Sequence, residues 1–113
     1  MRIDVKGRNV PVDDEVRARV AKKFEKIAKQ VSQLAEIEIE LKEERNPAIR
    51  ESQVAEATLH LKGVTLRARE RSDDMTHSIN LVAEDIARQV KRHRDKRRKR
   101  REATREQPRI SPS

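Results

Sequence analysis

Glu36-Ile37-Glu38-Ile39-Glu40-Leu41 alternates acid and aliphatic residue without a fault. A period of two over six residues is the mark of a strand with one buried and one open face, here an acidic open face. Downstream the pattern repeats twice. Ala55, Ala57, Leu59 and Leu61 alternate with Glu56, Thr58, His60 and Lys62, and Val64, Leu66 and Ala68 alternate with Thr65, Arg67 and Arg69. Lys62-Gly63 between them reads as a tight hairpin turn, and the Asn46-Pro47 step marks the loop after the first of the three. Upstream, Ile3 and Val5 alternate with Arg2, Asp4 and Lys6 in a short strand that Asn9-Val10-Pro11 ends.

Two stretches change period. Val16, Val20, Phe24, Ile27 and Val31 predict a helix over about residues 13–30, with Asp13 and Asp14 to cap and charge its start. After Ser72-Asp73, the steps of three and four through Met75, Ile79, Val82, Ile86 and Val90 predict a second helix. The order is β-α-β-β-β-α. A right-handed crossover makes strands one and two parallel neighbours, and the rest is an antiparallel meander. Each element has one greasy face, so the expected fold is α+β, a four-stranded mixed sheet with both helices on one face.

Composition suits that plan. The chain has 113 residues, 34% hydrophobic and 42% charged, with Phe24 its only aromatic. The core must be thin and aliphatic, and one sheet covered on one face needs less apolar material than a sandwich. With no cysteine there is no disulfide and no thiolate metal site. No apolar run approaches the ~20 residues of a bilayer span, and Met1-Arg2-Ile3-Asp4-Val5 reads as strand, not as a signal peptide. The expectation is a cytoplasmic protein with no membrane partner.

The charge is concentrated. Residues 88–101 carry ten Lys or Arg against Asp95 alone, a net of +9 where the whole chain nets +8. Everything before them is nearly neutral, so the pI near 10.3 comes from one local device. Such a patch fits a polyanion. On the first helix, Arg19, Lys22, Lys23, Lys26 and Lys29 share one flank of the apolar stripe. The second helix loses its apolar face at Val90, and from Lys91 to Arg101 cations run all round the wheel. Repulsion between like charges predicts an end that projects and frays, with 97–113 a basic, disordered tail or linker after a domain of 1–96. Arg88, Lys91 and Arg92 still belong to the docked helix, so the charge begins on a rigid platform.

The missing aromatics narrow the target, because single-strand readers stack bases on aromatic rings. Groove reading of DNA needs fixed Asn, Gln or Arg side chains, and Gln89 alone is thin support. RNA shape and phosphate geometry remain. Nothing suggests catalysis or a cofactor. Ser72, Asp74 and His77 fit one capped helix turn, and His60, His77 and His93 have no partner at ligand spacing. No Gly-rich phosphate loop is present.

Met1-Arg2-Ile3-Asp4-Val5-Lys6-Gly7-Arg8-Asn9-Val10, the helix Val16-Arg17…Val20…Lys23-Phe24…Lys26-Ile27, the strand Ala57-Thr58-Leu59-His60 and Asp74-Met75…Ile79-Asn80…Ala87-Arg88-Gln89-Val90 together resemble the bacterial ribosome hibernation promoting factors and ribosome-associated inhibitors. The resemblance covers about residues 1–96. It implies a double-stranded-RNA-binding-domain-like fold and binding to the small ribosomal subunit, in the channel between head and body. There the family overlaps messenger RNA and tRNA and idles ribosomes under starvation or in stationary phase. The family's basic positions match Arg17, Lys23 and Lys26 on the first helix and Arg88, Arg92, Arg94 and Lys96 on the second. With Lys22 and Lys91 added for their placement, these are the residues expected to touch 16S ribosomal RNA beside neighbouring ribosomal proteins. Two positions depart from the pattern: Thr76 replaces a usual aromatic and Asp85 a frequent Lys. Long family members carry a second domain that pairs ribosomes, and without one no homodimer is expected. The alternatives are a general double-stranded RNA binder and a protein-interaction module using the acidic face of Glu36, Glu38 and Glu40.

Overall fold

The computed structural model describes residues 1–106, with side chains as far as Ala103. Strands β1 (Arg2–Arg8), β2 (Glu36–Glu43), β3 (Gln53–Leu61) and β4 (Val64–Ser72) form one sheet in the order β1-β2-β3-β4. β1 runs parallel to β2, and the other pairings are antiparallel. Register sorts the faces. Val5, Ile39, Ala57 and Ala68 form one row across the sheet, and all four are buried. The larger aliphatics of the sheet come mostly from β2. The alanines of β3 and β4 lie where the long helix packs, and small side chains let it approach closely.

The helical layer is α1 (Asp14–Lys23), α2 (Glu25–Gln30) and α3 (Met75–Glu106). Val20, Phe24 and Ile27 share one core cluster with Ile79, Val82, Ile86, Val90 and the inward residues of the sheet. Helices therefore cover one face, as the patterning predicts. The single helix predicted over 13–30 is instead two short ones. At Phe24 the backbone relaxes to φ −95 and ψ 3, although Phe24 N still donates to Val20 O and Ala28 N to Phe24 O, each at 3.0 Å. The break falls at the bulkiest core side chain, which is wholly buried, and no Gly or Pro announces it.

Short-range chemistry fixes the element ends. Asp13 Oδ1 accepts from Val16 N at 2.9 Å, and Asp74 Oδ2 accepts from His77 N at 3.1 Å, each satisfying an otherwise orphaned helical donor. Ser78 donates to the Gln53 carbonyl at 2.7 Å and lies 2.7 Å from the Ser72 hydroxyl, a buried tie between the start of α3 and the sheet. Gly63 turns the hairpin at φ +80. A Cβ on Gly7 would lie 2.3 Å from the Val10 carbonyl oxygen, because the chain folds back over the end of β1.

α3 departs from expectation at its far end. The sequence reading starts a disordered tail at 97, whereas the helix continues to Glu106; the rest of that tail, 107–113, lies outside the described residues. Arg, Lys, Ala and Glu are all strong helix formers. An i,i+4 ion pair between Arg98 and Glu102 at 3.8 Å offsets part of the like-charge repulsion. No described helix is long and apolar enough to cross a membrane.

Candidate nucleic-acid interface

All nine predicted contact residues, Arg17, Lys22, Lys23, Lys26, Arg88, Lys91, Arg92, Arg94 and Lys96, are exposed, but the fold does not gather them into one patch. Lys23 and Lys26 line a recess between the first helical layer and α3, over Asn80, Ala83 and Ala87 and beside the acid Glu84. Arg88, Lys91 and Arg94 line the next recess with Gln30, Arg98 and one acid, Asp95. Ala87 belongs to both, so the two recesses join into one groove with cations on either wall. Arg94 Nη1 donates to Gln30 Oε1 at 3.0 Å, bridging the far end of the groove from α3 to α2. Small residues at Ala83 and Ala87 open the groove, and the long cationic stems rise from its rims.

The other four stand apart. On the helical wheel Arg17 lies across the apolar stripe from Lys23, and Lys22 points further towards solvent than Lys23. Arg92 and Lys96 follow the flank of Gln89 and not that of Lys91. Gln89 itself is committed to the fold. Its Nε2 donates to the Arg67 carbonyl at 2.7 Å and to Asp85 Oδ1 at 3.2 Å. That pair explains Asp85, where the family resemblance leads one to expect Lys, because the carboxylate holds the amide that secures β4. It also removes Gln89 from any base-reading role.

Two features of the groove lie outside the predicted contact residues. Arg98 joins its outer recess, beyond the positions the resemblance covers. Asn80 Oδ1 is buried without a hydrogen-bond partner among the described residues. Such an acceptor costs about 1–3 kcal/mol, which a donor from water or ligand at the groove floor would relieve.

The open face of the sheet is less acidic than β2 alone suggests. On β1, Arg2 lies opposite Glu36 and Lys6 opposite Glu40, while Asp4 lies opposite Glu38 and Arg8 opposite Lys42; Arg67, Arg69 and Arg71 share the face on β4. Arg8 pairs with Glu40 at 3.3 Å and Arg69 with Glu56 at 3.3 Å, and His60 Nε2 lies 3.6 Å from Glu38. Cross-strand pairing with Arg8 and Arg69 engages Glu40 and Glu56, which leaves fewer acids for a basic protein partner. At one corner Glu44 lies 3.2 Å from Lys42 and 4.0 Å from Arg71. Those two cations flank Val54 in the register, and Val54 is fully buried although it is on the open face.

A fold of this order with a cationic inter-helix groove can be compared with known proteins. The family model described as sigma 54 modulation protein / S30EA ribosomal protein matches residues 3–98. The chain belongs to this family. Among S30EA relatives, the ribosome hibernation promotion factor of Picosynechococcus sp. is 31% identical over 97 residues, 85% of this chain and 50% of that protein. The ribosome hibernation promoting factor of Salmonella typhimurium is 29% identical over 96 residues, 85% of this chain and 96% of that protein. The chain thus spans half the length of the first and nearly all of the second. The crystal structure of the Thermus thermophilus Protein Y N-terminal domain superposes with a TM-score of 0.71 at 24% identity, covering 82% of this chain and 99% of that domain. That likeness is one of fold. The S30EA match takes in the sheet, the groove and α3 as far as Arg98.

Proposed function

We propose that this chain is a ribosome hibernation factor that binds the small ribosomal subunit through the groove between its helices. Its cations meet 16S ribosomal RNA phosphates in the channel for message and tRNA, and it halts translation by occupancy under starvation or in stationary phase. The observation that carries this reading is the groove. Lys23 and Lys26 from one element and Arg88, Lys91 and Arg94 from another converge on it in a chain whose relatives bear the hibernation name. No chemistry is required of the protein, and the cytoplasm is where it would act. Residues 1–96 form the ribosome-binding unit in this proposal. Arg17, Lys22, Arg92 and Lys96 make outlying contacts.

The test is sedimentation of the purified chain with isolated 30S subunits across a salt series, against a mass excess of plain RNA duplex. Binding should survive the competitor at physiological salt. The logarithm of the binding constant should fall by about 0.7–0.9 per phosphate neutralised for each tenfold rise in salt. Equal partition onto the duplex would instead make the chain a general double-stranded RNA binder, and indifference to subunits at low salt would end the proposal.

A further inference from the structure

The overhanging end of α3 carries a second arrangement of charge that the groove does not use. Two contacts fix how α3 lies on the sheet. Ser78 bonds the carbonyl of Gln53, the register partner of Ser72, and Gln89 bonds that of Arg67. The helix therefore runs back along β4 towards the Lys62-Gly63 turn. At about 1.5 Å per helical residue and about 3.4 Å per strand residue, it passes the end of the sheet near Lys96. From there to Glu106 it overhangs by about 15 Å.

The docking seam does not stop with the sheet. Ile79, Val82, Ile86 and Val90 step by three and four, and the same steps continue to His93, Arg97 and Arg101. Apolar residues that are fully buried on the body give way to a half-buried histidine and then two exposed arginines. These arginines look down past the end of the sheet, where Lys62 is exposed at the turn. Asp95 and Glu102 fall on the side of the helix away from this underside, in line with Glu84, and Asp95 and Glu84 also reach the groove. The overhang is cationic beneath and mixed above. A tail serving only solubility has no reason to sort charge by face.

We propose that the underside of the overhang and the end of the sheet form a notch that takes an RNA backbone, a phosphate-binding site separate from the groove. The choice of RNA rests on the ribosomal reading above. A lipid surface fits less well, because among the described residues the underside of the overhang offers no apolar side chain to insert. The family match runs to residue 98, so Arg97 falls inside it and Arg101 beyond it.

The experiment compares three full-length variants with the unmodified chain, on isolated 30S subunits and on a plain RNA duplex across a salt series. Arg97→Glu and Lys99→Glu make the same charge change two residues apart, on faces about 160° apart at 100° per residue. Arg97→Glu should weaken subunit binding about tenfold or more and reduce the salt dependence by about one phosphate equivalent. Lys99→Glu should stay within about threefold, and Arg97→Lys should retain binding. Both positions are exposed, so unfolding temperature should not move. Equal losses from Arg97→Glu and Lys99→Glu would overturn the notch in favour of diffuse attraction, and no loss from either would overturn it outright. If the unmodified chain ignores subunits at low salt, the ribosomal reading fails instead. The two faces can then still be compared on the duplex, where unequal losses would support an oriented phosphate site and equal ones would overturn it.

Discussion

The two halves of α3 share one backbone and obey opposite rules. Between Met75 and Val90 the helix exists because it is docked: Ile79, Val82 and Ile86 are wholly buried and Val90 is 1% exposed. Beyond Val90 every described residue but His93 is exposed, and local propensity favours the helix there with an ion pair and the Arg94–Gln30 hydrogen bond to help it. The first half should respond to mutation in stability and the second in binding. Helix formation and helix docking are separate achievements, and this helix uses the second to hold the first at a fixed angle.

The largest effect should come from the seam. Ile86→Ala deletes methylene and methyl groups from a site with no exposed surface, which typically costs about 2–5 kcal/mol. Urea unfolding should show the midpoint falling sharply. Subunit binding, measured where the variant is still folded, should be nearly unchanged. A binding loss with no stability loss would mean that the seam and the interface are not separate. Next in size, Arg88→Glu with Lys91→Glu on the groove wall should cost about thirtyfold in subunit affinity, roughly 2 kcal/mol. The thermal midpoint should hold. An equal fall in stability would mean that these cations hold the body together.

A smaller effect sharpens the boundary from within the docked half. Ser78 is buried, and its hydroxyl joins the helix start to the Gln53 carbonyl at 2.7 Å. Ser78→Ala leaves that carbonyl without this donor and should cost about 1–2 kcal/mol. Thermal unfolding of Ser78→Ala beside Asp74→Ala, which removes only the exposed cap at about 1 kcal/mol, would rank the two. A cap variant that loses more than the buried serine would mean that the helix start is held from its own end and not by the sheet.

The same contrast explains what could be read from the chain. Alternation in Glu36–Leu41, and in the two runs around Lys62-Gly63, states the sheet because each strand has one face in the core and one outside. Where a side chain serves a purpose other than face burial, the pattern is silent. Val54 belongs by parity to the open face, yet it is buried with Lys42 and Arg71 on either side and Glu44 between them. Glu44 comes from a loop, whose path no period describes. Phe24 extends the apolar stripe without interruption, so the break beside it leaves no trace in hydrophobic spacing. The groove was legible as a flank of lysines and a basic helix. Its actual membership was not, because joining Lys23 and Lys26 to Arg88, Lys91 and Arg94 depends on the angle between helices. Arg92 and Lys96 fall away for the same reason, one step round the wheel.

The smallest expected change is the most pointed about the overhang. Glu102 is its described acid beyond the end of the sheet, and it pairs with Arg98 at 3.8 Å, both side chains largely exposed. An exposed i,i+4 pair contributes about 0.3–0.5 kcal/mol to a helix and less at high salt. Glu102→Gln gives up that pair while making the rod one charge more positive. If the overhang helped to stabilise the body, the thermal midpoint would fall by a measurable amount. If it is held out by a body that folds without it, the midpoint should stay within error. Affinity for RNA should then rise by up to about threefold at low salt and return to the unmodified value as screening increases. A midpoint that falls while affinity stays flat would reverse the roles assigned to the two halves of α3, because the exposed half would then be stabilising the fold and not serving the polyanion.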